Sequence, residues 1–240
     1  EIEKNLTDSN YTFDDPKVIL NPYDISPLTA LIVFETKDST TVTVTIEGKD
    51  KNTTITNTFK PTNVHYLPIY GLYPDTNNKV TLTMNGESKV IYIKTEKLPD
   101  DFILPTEVKA DKDALGTDLY FTSPSSKGYM SAYDSNGDVR WYLTERAIWD
   151  INRLKNGHLI ISSDRLINPP YYMTGLYEID LLGKIYYEYS LPGGYHHDVY
   201  EMENGNLLVA SNDFEDGTVE DYIVLVNRED GNIIKTWDLK

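Results

Sequence analysis

Asp180-Leu181-Leu182-Gly183-Lys184-Ile185 reads as a tight turn between two strands, and the chain carries it three times. The other copies are Asp134-Ser135-Asn136-Gly137-Asp138-Val139 and Asn227-Arg228-Glu229-Asp230-Gly231-Asn232-Ile233. Gly137, Gly183 and Gly231 lie 46 and then 48 residues apart. Each copy has an alternating apolar strand before it and an aromatic-rich strand after it. A repeat of roughly 40 to 50 residues built from short strands is the sequence mark of a β-propeller blade.

A second alignment extends the repeat. Trp149-Asp150-Ile151-Asn152-Arg153-Leu154-Lys155-Asn156-Gly157 falls on His197-Asp198-Val199-Tyr200-Glu201-Met202-Glu203-Asn204-Gly205, at a constant offset of 48. Each blade therefore reads as an innermost strand, an Asn-Gly hairpin, two further strands, a glycine turn and an outer strand. One blade is expected over 146–191 and another over 194–240, with part of a blade over 119–143. Propellers close with about 4 to 8 blades, so the sequence is read as part of a longer protein. Strand edges left open by an unclosed ring invite pairing with a second copy, which makes a homodimer an expectation.

Working back toward the N-terminus, residues 1–97 read as a separate β-sandwich. Ala30 to Glu35 is a buried strand, and Thr41 to Ile46 alternates Thr with Val or Ile. Thr53 to Phe59 is a third strand. Lys79 to Met84 and Lys89 to Lys94 flank Asn85-Gly86, a strong hairpin signal. The turn Gly71-Leu72-Tyr73-Pro74-Asp75-Thr76 resembles the fibronectin type III group. Residues 98–117, with Pro99, Pro105 and a charged run from Lys109 to Asp113, read as a linker. The predicted fold is all-β: a fibronectin- or immunoglobulin-like sandwich (1–97), a linker (98–117) and the first blades of a propeller (118–240).

Composition supports this and narrows function. The 240 residues include 19 tyrosines, a residue that suits half-buried strand surfaces. The formal net charge of −16 argues against nucleic acid or an anionic membrane as partner. There is no cysteine, which removes disulfides, thiolate metal sites and a cysteine nucleophile from consideration. No apolar run approaches the roughly 18 residues of a membrane span.

Candidate chemistry concentrates in the repeats. His196-His197-Asp198 sits where an innermost strand begins, beside the channel of a closed ring. One blade earlier the same positions hold Ile148, Trp149 and Asp150, so Asp198 keeps the repeat and the histidines break it. If this segment is extended, His196 and His197 point to opposite faces, and His197 is favoured as the one lining the channel. The competing reading is a pair of strand-end histidines hydrogen-bonded to their neighbours. No third ligand accompanies them, so no metal and no cofactor is assigned. His158 and His65 read as structural.

All five arginines lie in the repeats: Arg140, Arg146, Arg153, Arg165 and Arg228. Guanidinium forks match sulfate or phosphate oxygens. Arg146 and Arg165 border turns and are the candidates for anion binding, against the simpler reading of a solvated strand face. In Pro169-Pro170-Tyr171-Tyr172-Met173, the tyrosines Tyr171 and Tyr172 could stack on an aromatic ligand or donate to a phenolic oxygen.

Several of these pieces together carry a family likeness. They are Leu20-Asn21-Pro22-Tyr23, Ser26-Pro27-Leu28-Thr29-Ala30-Leu31, Val139-Arg140-Trp141-Tyr142-Leu143, Gly194-Tyr195-His196-His197-Asp198 and Asn204-Gly205-Asn206. Over its whole length the chain resembles the bacterial aryl-sulfate sulfotransferases that need no nucleotide sulfate donor. The resemblance implies a sandwich joined to a six-bladed propeller. It also implies ping-pong transfer of sulfate from a phenolic sulfate ester to an acceptor phenol, through a sulfohistidine. It gives His197 or His196 a sulfate-binding or acid/base role, and makes Tyr195 a residue lining the site. The nucleophilic histidine and a clamping arginine are expected in later blades, beyond this sequence. An extracytoplasmic location, in the periplasm, at the surface or secreted, follows from the same likeness. The alternative is a non-catalytic extracellular sandwich-propeller module for binding or adhesion.

Overall fold

The computed structural model describes residues 11–124, 128–169, 172–215 and 222–239. It divides into two compact units. The first is Glu1–Phe121 with Ser131–Thr144, and the second is Thr122–Met130 with Glu145–Lys240.

The first unit is built on two long strands. Strands β1 (Lys17–Leu20), β2 (Thr29–Ile46), β3 (Ile55–Tyr70), β4 (Asn77–Met84) and β5 (Glu87–Lys94) form its sandwich. The stretches expected as separate strands, 30–35 and 41–46, are the two halves of β2. The first half pairs with β1 and with the end of β3, as in Val33↔Lys17 and Phe34↔His65. The second half pairs with the start of β3 and with β4, as in Val44↔Asn57 and Val44↔Leu82. Register breaks between Glu35 and Thr40. There the Thr36 and Thr40 hydroxyls both donate to the carbonyl of Asp38. No glycine or proline interrupts the segment, so the polar run bends the strand rather than ending it, and β2 changes partners at the bend. Ala30 to Phe34 are buried throughout, while Val42, Val44 and Ile46 alternate with more exposed threonines. The Asn85-Gly86 hairpin forms as expected, with both residues at positive φ (52° and 82°), as a two-residue primed turn requires.

Residues 98–117 lie in this unit too. They contain one helical turn, Lys112–Leu115, capped by the Asp111 carboxylate accepting from the amide of Ala114. Phe102 meets Tyr142 edge-on at 5.5 Å. Strands β6 (Tyr120–Thr122), β7 (Ser131–Tyr133) and β8 (Val139–Tyr142) make a three-stranded sheet.

In the second unit β9 (Asn152–Arg153), β10 (Leu159–Ser162), β11 (Leu166–Asn168), β12 (Tyr172–Ile179) and β13 (Ile185–Tyr195) form one sheet. Its order is β11-β12-β10-β9, with β13 added on β12. Strands β14 (Val199–Glu201), β15 (Leu207–Ser211), β16 (Tyr222–Val226) and β17 (Ile233–Asp238) form the next, in sequence order. Both are antiparallel; the second is a meander with the strand order that the repeat predicts, whereas in the first β10, β11 and β13 all pair with β12. Their shared core includes Ile160, Leu176, Tyr189, Leu191, Leu207 and Val209. The chain is all-β, with a sandwich first and then sheets consistent with the blades of an incomplete propeller.

The repeated turns are physically alike. The amides of Gly137, Gly183 and Gly231 donate to the carbonyls of Asp134, Asp180 and Asn227, and each glycine has φ between 74° and 94°. The side chains of those three residues also accept a backbone N–H inside the turn. An Asp or Asn at that position therefore closes the turn, and glycine takes the left-handed position after it.

Candidate functional site

The segment from β13 to β14 carries the histidine pair, and its backbone is not extended. Gly193 leads in. A Cβ there would sit 1.7 Å from the carbonyl oxygen of Asn212, so only glycine lets the strands approach. At His197 the chain turns left-handed, with φ 62°. The Asp198 amide donates back to the His196 carbonyl at 2.9 Å, closing a three-residue turn around His197. A left-handed non-glycine residue costs on the order of 1–3 kcal/mol and persists where its surroundings hold it. Two donors hold this one: the Tyr195 hydroxyl at 3.1 Å and the Asp150 amide at 3.3 Å both reach the His197 carbonyl. Trp149, the repeat partner of His197, is left-handed as well, with φ 70°.

The turn corrects the opposite-faces expectation, whose premise was an extended segment. Rotated back by the turn, His197 meets its neighbour: the two Nδ1 atoms are 2.9 Å apart. His196 is buried (3% exposed), like Ile148 at the same repeat position, and its Nε2 lies 2.8 Å from the Ser211 carbonyl. His197 is exposed, and the Trp149 ring covers one side of it at a centroid distance of 4.3 Å.

Other named residues fall around this pair to different degrees. Tyr172 is buried and stands edge-on to His196 (5.7 Å) and to Phe214 (5.1 Å). Tyr195 is fully buried and its hydroxyl holds the His197 carbonyl. Burial first, then the Asp150 and Asp198 carboxylates, push its phenol well above the ordinary range. Asp198 accepts from the Val199 amide at 2.7 Å, and the Asn152 side-chain amide is 3.4 Å from the carboxylates of both Asp150 and Asp198. Tyr171 lies outside the described residues.

The arginines do not form one cationic cluster. Arg165 is exposed and ion-paired with Glu188, with Asp164 at 3.9 Å. Arg146 is exposed in the stretch before β9. Arg140, on β8, is fully buried. It donates to the Gly71 carbonyl (2.7 Å), the Thr53 carbonyl (2.8 Å) and the Asp134 carboxylate (2.9 Å), and lies over the Tyr73 ring.

Arg228 belongs to a second polar cluster that the sequence reading missed. Its guanidinium forks onto buried Glu178 at 2.7 and 2.9 Å and reaches Glu201 at 2.8 Å. His158 (2.7 Å), Asn156 (3.0 Å) and the Tyr189 hydroxyl (3.1 Å) also meet the Glu178 carboxylate. Burial alone would raise the Glu178 pKa. The hydrogen bonds from Arg228, Asn156 and His158 outweigh it and hold the carboxyl at about 2. A signal was present: in the matched registers Glu178 stands opposite Ile160 where the next blade has Leu225 opposite Leu208. Trp149 was visible in the same way, as the partner of His197.

His65 is buried against Phe34 (4.5 Å), and burial lowers its pKa. Among the described residues no three His, Asp or Glu side chains converge as a metal ion would need. No helix among them is long and apolar enough to cross a membrane.

A family model described as arylsulfotransferase (ASST) matches residues 105–240, and one described as the arylsulfotransferase Ig-like domain matches 17–98. The chain is 24% identical to an arylsulfate sulfotransferase AssT of Escherichia coli and 27% identical to one of Lelliottia amnigena. Each match covers 92% of this chain and 48% of the relative, so the chain spans about half the length of the curated relatives it matches. With its sandwich and its repeats each matched in the same order, the chain belongs to the arylsulfotransferase family.

Proposed function

We propose that this chain is the N-terminal part of an enzyme that moves sulfate from a phenolic sulfate ester to an acceptor phenol through a sulfohistidine. The observation that carries this reading is the histidine pair held in a left-handed turn where an innermost strand begins. His197 is the proton-exchanging group. In the first half-reaction a histidine outside these 240 residues attacks sulfur and the S–O bond to the donor breaks. His197 enters this step protonated on both nitrogens; the departing phenoxide takes the proton from its Nε2 and leaves the ring neutral. In the second, His197 Nε2 takes the proton of the acceptor phenol, whose oxygen attacks sulfur as the S–N bond breaks. Protonating a phenoxide leaving group and deprotonating a phenol are both within the reach of a histidine.

Exposed Arg146 is the better-placed of the two named arginines for the sulfate oxygens, because Arg165 already has carboxylate partners. The 240-residue chain alone is inactive in this reading, and the whole protein works outside the cytoplasm without a cofactor. The test uses the full-length protein with p-nitrophenyl sulfate. Nitrophenol release is expected to depend on added phenol, and His197→Ala is expected to lower transfer by about 100-fold or more, the range for losing a general acid–base. Full-rate release without acceptor, or an unaffected His197→Ala, would sink the reading.

A further inference from the structure

We infer that His196 is a positioning residue that fixes the tautomer of His197 so that Nε2 is its basic nitrogen. This rests on the reading of His197 as the proton-exchanging group. The argument starts from a carbonyl, which can only accept. Ser211 O lies 2.8 Å from His196 Nε2, so that nitrogen carries the hydrogen. A neutral His196 then has its lone pair on Nδ1, and Nδ1 of His197 is 2.9 Å away. Two lone pairs cannot face each other at that distance, so His197 Nδ1 carries the hydrogen and donates it. The remaining nitrogen of His197, Nε2, holds the lone pair. The order is Ser211 carbonyl, His196, His197, with each ring oriented by the hydrogen bond on its other nitrogen.

Every member is fixed from outside. The Ser211 hydroxyl donates to the Gly194 carbonyl at 2.8 Å, Tyr172 packs against the His196 ring, and Tyr195 and the Asp150 amide hold the His197 backbone. The repeat shows the pairing to be particular to this blade: the preceding one has Ile148 and Trp149 at these positions, which cannot form it. The arrangement differs from a carboxylate-oriented histidine in one useful respect. A neutral imidazole sets the direction of its neighbour without adding negative charge beside it. His197 can then take a proton at Nε2 and give it back while its Nδ1 hydrogen bond stays in place.

The test reads tautomers directly, by long-range ¹H–¹⁵N correlation of the full-length protein labelled in histidine. In its neutral form His197 is expected to show a protonated Nδ1 and an unprotonated Nε2, and His196 the reverse. In His196→Phe the His197 pattern is expected to invert, and in His196→Gln, whose amide can accept from Nδ1, to be retained. Sulfuryl transfer should follow, with kcat down about 10- to 100-fold in His196→Phe, KM little changed, and recovery in His196→Gln. A neutral His197 that carries its hydrogen on Nε2 in the unmodified protein overturns the inference, even if the phenylalanine variant fails to fold. So does an unchanged pattern in a folded His196→Phe. If the tautomers are as expected but His197→Ala retains full transfer, the proton-exchange reading falls and the tautomer assignment stands.

Discussion

At the scale of single residues, Glu178 shows how a buried charge joins two sheets. It lies on β12, its guanidinium partner follows β16, and the carboxylate is 2% exposed. Removing one member of a buried pair leaves the other charge uncompensated, at a cost of about 3–5 kcal/mol. Arg228→Ala is therefore expected to destabilise the protein by that amount in urea unfolding. Restoring the apolar residue of the neighbouring blade as well, in Glu178→Leu/Arg228→Ala, should recover much of the loss. The folded-state pKa of Glu178, about 2, lies below that of an unfolded glutamate. Its contribution is complete above pH ~4.5 and is lost as pH falls toward 2. Acid titration of the Glu178→Gln variant should show a shallower loss of stability in that window. Glu178 could have been flagged in the sequence as a carboxylate at a position where the next blade has leucine. Its partners could not, because Arg228 lies 50 residues away and nothing local marks which carboxylate it meets.

Among the elements, the turns were the most legible part. Asp-x-x-Gly and Asn-Gly carry their conformations in a few residues, and in all three copies the glycine amide donates to the carbonyl of the opening Asp or Asn, three residues back in two copies and four in the third. Long-range choices were less legible. The polar run between Glu35 and Thr41 suggested a gap, yet β2 continues through it, paired with β3 on both sides of a register shift. The histidine pair was found from sequence, while its geometry was not, since a left-handed turn at a non-glycine residue depends on donors from Tyr195 and Asp150. Two glycines illustrate how context decides cost. Gly86 has open space around its missing Cβ, and Gly86→Ala should cost about 1–2 kcal/mol from its left-handed backbone alone. Gly193→Ala meets the Asn212 carbonyl and has to push two strands apart. It is expected to lower stability further in the same denaturation assay and to perturb the His196 and His197 resonances, which Gly86→Ala should leave in place.

For the molecule as a whole, charge and chain order set the terms. A net charge of −16 repels itself in the compact state, and salt screens that repulsion. Thermal unfolding is expected to shift upward between 10 and 300 mM sodium chloride, and an unchanged midpoint would mean that ion pairs such as Arg228–Glu178 offset the repulsion. The exposed edges of the sheets make self-association of the isolated chain a matter for size-exclusion chromatography across concentrations. Arg140 has a different kind of consequence. Its guanidinium fills a place among the Gly71 and Thr53 carbonyls, yet it follows them in the chain by 69 and 87 residues. During synthesis the sandwich emerges first, with those acceptors formed and their cation still to be translated. The first unit is complete only after the ribosome has passed the β7–β8 hairpin. A nascent chain stalled near residue 98 should therefore remain loosely folded, and one stalled far enough on to expose Thr144 should lock.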